Sequence, residues 1–205
     1  MRTHTLRRRA CIAISISAVL VVGVRDLAAA SPAATLDPSS AVAGAATATV
    51  RASRISYDAT KPIFPMQTTP RCAILDNFGD ARPGGRVHQG TDMLATLGQE
   101  VYAVVNGTLG HQVLAGTADA TLSGNAWQLT VAGGTTWYAY MHLSAFAAGL
   151  QNGSVVTQGQ VIGYVGDTGD AGPGNYHLHF EVHPNGGNAI NALTVLTVPP
   201  GCTVT

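Results

Sequence analysis

From about residue 71 onward the chain is a succession of short apolar runs cut apart by glycine-rich turns: EVYAVVNGTLG, AWQLTVAGG, TTWYAYMHL, QVIGYVGDTG and YHLHFEVH. None of them sustains the 3.6-residue apolar period of an amphipathic helix. A chain punctuated this often can bury its apolar residues only by pairing short strands, so the pattern predicts an all-β domain. The expected architecture is a single antiparallel β-sheet or sandwich, loop-rich, with an open groove. SAFAAGL, residues 144–150, is the one stretch that suggests a helical turn. Roughly 135 residues are enough for one domain with a real core.

The run YHLHFEVH, residues 176–183, carries the strongest chemical signal. Side chains on a strand alternate between faces. Tyr176, Leu178, Phe180 and Val182 therefore point inward, and His177, His179, Glu181 and His183 share the other face. Residues two apart lie about 6.6 Å from each other along a strand, close enough for two imidazoles to serve one site. A solvated polar face is the competing reading.

Two further segments bring polar groups of the same kind. HQGTD, residues 88–92, offers His88 and Asp92, both good zinc ligands. On a straight strand their Cα atoms would be about 13 Å apart. Gly90 permits a bend, which predicts a kinked loop leading into a strand at TDMLA. WYAYMHLS, residues 137–144, reads as a strand ending near His142. Its alternation sets Tyr138, Tyr140 and His142 against Trp137, Ala139 and Met141. His111 and His183 lie in no motif and are read as non-ligands.

The N-terminal segment has a different character. MRTHTLRRRA is basic, CIAISISAVLVVGV is apolar but short for a membrane span, and small residues follow. This is the composition of a secretion signal over residues 1–30, with cleavage expected after Ala30 and His4 lost with it. Residues 31–70 are rich in Ala, Ser, Thr and Pro and read as a linker or short pro-segment, which sets the domain at 71–205. Beyond residue 30 there are six basic and ten acidic residues, a balance of 6 − 10 = −4. No basic stripe exists for a nucleic acid. After signal removal no stable membrane partner is expected, and the default state is a monomer. Cys72 and Cys202 flank the domain, and export exposes them to an oxidising compartment, so a disulfide between them is expected.

The ordered set FGD…HQGTDM at 78–93, NGTLG at 106–110, YMHLS at 140–144, QGQVIGYVGDTG at 158–169 and HLHFEV at 177–182 resembles the lysostaphin-type, or LytM-like, zinc endopeptidases of bacterial peptidoglycan. The resemblance covers about residues 75–193 and implies a fold of the duplicated-hybrid-motif kind. It implies that His88, Asp92 and His179 ligate Zn2+, and that His142 and His177 are catalytic. Three protein ligands leave one zinc position open, as catalytic sites do, and water there becomes acidic enough to act as the nucleophile. No HExxH glutamate is present, so His142 and His177 must handle the protons. Peptidoglycan peptides are the implied partner. Glu181 is either a support for a ligand or a solvated carboxylate, and Tyr138, Tyr140 and Tyr176 are candidates to line the groove. The alternative function is a non-catalytic wall-binding module or an activator of another hydrolase.

Overall fold

A computed structural model describes residues 61–205. The expected signal and most of the expected linker lie outside the described residues.

Twelve short strands make up the domain: β1 (Ala73–Ile74), β2 (Ala81–Arg82), β3 (Arg86–Val87), β4 (Thr91–Leu94), β5 (Glu100–Tyr102), β6 (Gly107–Val113), β7 (Asn125–Val131), β8 (Trp137–Phe146), β9 (Val155–Val156), β10 (Val161–Val165), β11 (His177–His183) and β12 (Thr203–Val204). Helix is confined to single 3-10 turns among the described residues. Ten strands form one sheet in the order β12-β1-β4-β11-β8-β7-β6-β9, with β10 joining β8 to β5. β2 and β3 form a separate two-stranded ribbon. Every pairing is antiparallel except β1 with β12, where the start and end of the domain run side by side. The Cys72–Cys202 disulfide closes that same corner.

The fold turns on β8. Its first half lies between β11 and β7, whereas Leu143–Phe146 pair with β10. The sheet thus forks, and the two branches enclose a core built on Trp127, Leu129, Tyr140, Leu143, Ile162, Leu178 and Phe180, each essentially inaccessible to water. The segment 144–150 therefore differs from the helical turn read in the sequence. Ser144 to Phe146 continue β8, because Gly163 and Tyr164 supply them with backbone partners.

The lead-in is docked on the domain. Met66 is buried and bridges to Val101, and the Tyr102 N–H donates to the Pro65 carbonyl at 2.7 Å. Residues 63–67, assigned by composition to the linker, thus lie against the sheet.

β11 occupies a central place, with β4 on one side and β8 on the other. All seven of its residues are buried. Leu178, Phe180 and Val182 fill the core, as the alternation requires. The opposite face has little exposure as well, and its His177, His179 and Glu181 floor a groove.

Candidate metal centre and active site

Register decides which side chains meet. His179 stands directly opposite Asp92 in the β11–β4 ladder and opposite Met141 in the β11–β8 ladder. Directly paired residues hold their Cβ atoms about 4.5–5.5 Å apart, so the Asp92 carboxylate and the His179 ring meet without any loop adjustment. His88 reaches them from the end of the β2–β3 ribbon. Its N–H donates to the Asp80 carbonyl at 2.8 Å, and its own carbonyl accepts from the Gly79 N–H at 2.9 Å.

Gly90 lies between His88 and Asp92, but its role differs from the bend expected of it. Its φ is not positive; a Cβ there would come within 2.5 Å of the His179 ring and 2.9 Å of the Phe180 carbonyl. The glycine is required because the His179 ring and the Phe180 carbonyl occupy the space a Cβ would take.

The three side chains converge. His88 Nε2 lies 2.9 Å from His179 Nδ1 and 3.1 Å from Asp92 Oδ1, and the last two atoms are 3.0 Å apart. His88 Nδ1 donates to the Asn77 carbonyl at 2.8 Å, which fixes the proton of the neutral ring on that nitrogen. His179 Nε2 likewise donates to Glu181 Oε1 at 3.0 Å. The neutral rings therefore aim two nitrogen lone pairs at each other and at a carboxylate oxygen. Three electron-rich atoms in a buried triangle repel unless a metal ion, or in its absence an added proton on His179 Nδ1, sits among them. Tetrahedral zinc, with bonds of about 2.0–2.2 Å, sets its ligand atoms about 3.3–3.6 Å apart. The triangle accepts such an ion with shifts of a few tenths of an ångström, so this trio can hold a metal.

The electrostatics show the same demand for positive charge. Burial disfavours a charged His179 ring, but its hydrogen bonds to Asp92 and Glu181 outweigh that and push it up to about 9. Burial also opposes the Asp92 carboxylate. The two histidines bonded to it prevail and hold it well below the usual carboxylate range.

Asp92 is itself braced. Asn77 Nδ2 donates to its Oδ2 at 2.8 Å, and Arg82 Nη2 donates to the same oxygen at 3.1 Å. Oδ1 is left to face the histidines. Asn77 thus orients both Asp92 and, through its carbonyl, His88. The sequence reading missed Asn77 and Arg82; Asn77 immediately precedes FGD, and nothing in that tripeptide marks its neighbour.

His142 and His177 face the same point. His177 Nε2 is 3.8 Å from Asp92 Oδ1, and the His142 and His177 rings lie 4.7 Å apart. His142 Nδ1 donates to the Thr168 carbonyl and His177 Nδ1 to the Asn175 carbonyl, each at 2.8 Å. Both neutral rings thereby present a bare Nε2. Burial, reinforced by the nearby His177 ring, brings His142 down to about 4.

A bulge delivers His142. Strict alternation would set it on the core side with Tyr138 and Tyr140. The β8 ladders with β7 and β10 slip in register near this point while that with β11 does not, and His142 has a φ of +64°. The extra residue turns His142 to the groove side beside Met141 and returns Leu143 to the core. Bulges re-aim side chains in this way, and positive φ costs a non-glycine residue about 1–3 kcal/mol.

The five residues lie along an open groove of about 1140 Å³. The β2–β3 ribbon forms one wall with Arg82 and Arg86. Ser123, Asp170 and Asn175 stand on the others. None of the three tyrosines considered for the groove lines it. Tyr138 and Tyr140 belong to the core, Tyr176 packs against it, and the Tyr140 hydroxyl accepts from the Val104 N–H at 3.0 Å. His111 lies away from the groove on the irregular end of β6.

The chain is 30% identical over 135 residues to an L-Ala–D-Glu endopeptidase of Bacillus subtilis, covering 60% of this chain and 38% of that protein. It is 36% identical over 119 residues to the DD-carboxypeptidase/endopeptidase Mpg of Neisseria meningitidis, covering 58% and 25%. The matched region is thus well under half of either relative. Among solved structures, Csd3 of Helicobacter pylori superposes with a TM-score of 0.51 at 28% identity, over 68% of this chain and 35% of Csd3. Residues 86–192, just over half of the 205, match peptidase family M23, and the chain belongs to that family.

Proposed function

We propose that the chain is an exported, zinc-dependent endopeptidase acting on the peptides of bacterial peptidoglycan. The observation that carries this reading is the triangle of His88 Nε2, Asp92 Oδ1 and His179 Nδ1, with two bare imidazole nitrogens turned toward it. When bound, zinc supplies Lewis-acid polarisation of the scissile carbonyl and acidifies a water. The remaining work falls to the protein. Asn77 and Arg82 keep one Asp92 oxygen occupied and leave the other for the ion. The Thr168 and Asn175 carbonyls fix the tautomers of His142 and His177, so that each Nε2 can accept a proton. A proton taken up from the attacking water at one Nε2 is then available to the departing amine. The open groove suits an extended peptide. The named substrate of the Bacillus subtilis relative contains a D-residue, a mark of wall peptides. The disulfide fits an oxidising, extracellular setting.

Digestion of defined muropeptides followed by mass spectrometry tests the reading. New peptide termini should appear with the wild type, vanish with a chelator and return with zinc. His142→Ala and His177→Ala should each retain zinc while losing about 10²–10⁴ in kcat/KM. A wild-type domain that binds zinc yet releases no fragments would instead be a wall-binding module or an activator of another hydrolase.

A further inference from the structure

β11 carries polar side chains beyond His179, and they form a chain of contacts that the proposed reaction does not use. Glu181 is only 7% exposed and His183 only 6%. Glu181 Oε1 accepts from His179 Nε2 at 3.0 Å, and its Oε2 lies 2.8 Å from His183 Nε2. His183 Nδ1 donates to the Gly187 carbonyl at 2.9 Å. The His183 ring also stacks on Trp137, with centroids 3.5 Å apart and planes 9° from parallel. Trp137 and His183 are cross-strand partners in the β8–β11 ladder, so the sheet itself sets the stack.

Of the two readings open for Glu181, a ligand's support or a solvated carboxylate, burial and two bonded oxygens disfavour the second, and His183, read as a non-ligand, contacts Glu181. A buried carboxylate is costly unless its oxygens are hydrogen-bonded. Here both are, and one bond ends on the ring that faces the ion. We propose that Glu181 and His183 are positioning residues of the metal centre. Glu181 holds the His179 proton on Nε2 and so keeps Nδ1 bare and aimed at the ion. His183, clamped between Gly187 and the Trp137 ring, holds Glu181 in turn. The proposal rests on reading His179 as a metal ligand. It accounts for polar residues at 179, 181 and 183: successive positions on one strand face form a ligand, its support, and the anchor of that support.

Zinc affinity measured by chelator competition tests this without recourse to activity. Wild type should bind one zinc. Glu181→Ala should weaken binding about 10–100-fold. Glu181→Gln should recover part of that loss, because its amide oxygen still accepts from His179. His183→Phe keeps a ring on Trp137 but removes the nitrogen facing Glu181, and its loss should fall between those of Gln and Ala at 181. Zinc affinity in Glu181→Ala within about threefold of wild type would overturn the proposal and leave the metal reading intact. A wild type that binds no zinc would overturn both. Should Glu181→Ala not fold, NMR of the zinc-loaded wild type decides. A slowly exchanging proton on His179 Nε2 supports the proposal, and a freely exchanging or absent one refutes it.

Discussion

In the proposed metal centre His179 would give one nitrogen to the ion and one to Glu181, and this division has a consequence in proton accounting. Without metal the ring sits at about 9, so near neutral pH it carries an extra proton between Asp92 and Glu181. A metal must displace that proton from Nδ1. Zinc binding at pH 7.5 should therefore release about one proton, and apparent affinity should climb with pH until about 9. Calorimetry in buffers of different ionisation enthalpy measures the number released; none released would contradict the assignment of Nδ1. The same shift governs stability in the metal-free domain. A histidine raised from 6.5 to about 9 on folding contributes stability that is complete below 6.5 and lost as pH rises through 9. His142, lowered from 6.5 to about 4, works in the other direction: its contribution is complete above 6.5 and lost as pH falls toward 4. The two together predict greatest stability of the metal-free domain near pH 6.5. Urea unfolding from pH 4 to 9 checks this; a monotonic profile would show that other groups dominate.

At the scale of elements, the site depends on how closely three segments approach. Gly90→Ala would drive a methyl into the His179 ring and the Phe180 carbonyl. It should abolish zinc binding and destabilise the domain by about 1–3 kcal/mol, the usual cost of overpacking. Gly166→Ala meets the backbone of the β8 bulge, at the Ser144 nitrogen and the His142 carbonyl oxygen. A similar loss of stability is expected there, together with a fall in kcat and retained zinc, since His142 is displaced while the ligands are not. Chelator competition and thermal melts on both variants separate the two effects. These elements also mark what could be read in advance. The alternation in β11 was legible, and with it which of its faces would be apolar. The convergence of His88 with His179 was legible only through resemblance, because nothing local says that Asp92 stands opposite His179. The β8 bulge was not legible: alternation in WYAYMHLS sets His142 with the tyrosines, and only pairing with β7 and β10 creates the extra residue. Asn77 and Arg82 act through tertiary contacts that leave no periodic trace.

At the scale of the molecule, the domain is closed at one corner by β1, β12 and the Cys72–Cys202 bridge, which spans 130 residues of sequence. A link across so long a loop restricts the unfolded chain strongly and is worth about 5 kcal/mol in the chain-entropy account. Cys202→Ser should lower unfolding free energy by roughly 2–5 kcal/mol. Zinc affinity should change less than stability, because the bridge precedes β1 while the corner meets the site through β4 and through Asn77, which follows β1. Urea titrations with zinc held constant provide the comparison, and a variant as stable as wild type would mean that the strand pairing alone suffices.

The central claim is that His88, Asp92 and His179 surround one ion. Diffraction data collected on either side of the zinc absorption edge from a zinc-loaded crystal test it most directly. The account predicts a single anomalous peak about 2.0–2.2 Å from His88 Nε2, Asp92 Oδ1 and His179 Nδ1. A peak seated elsewhere, or none at these three atoms, would contradict it.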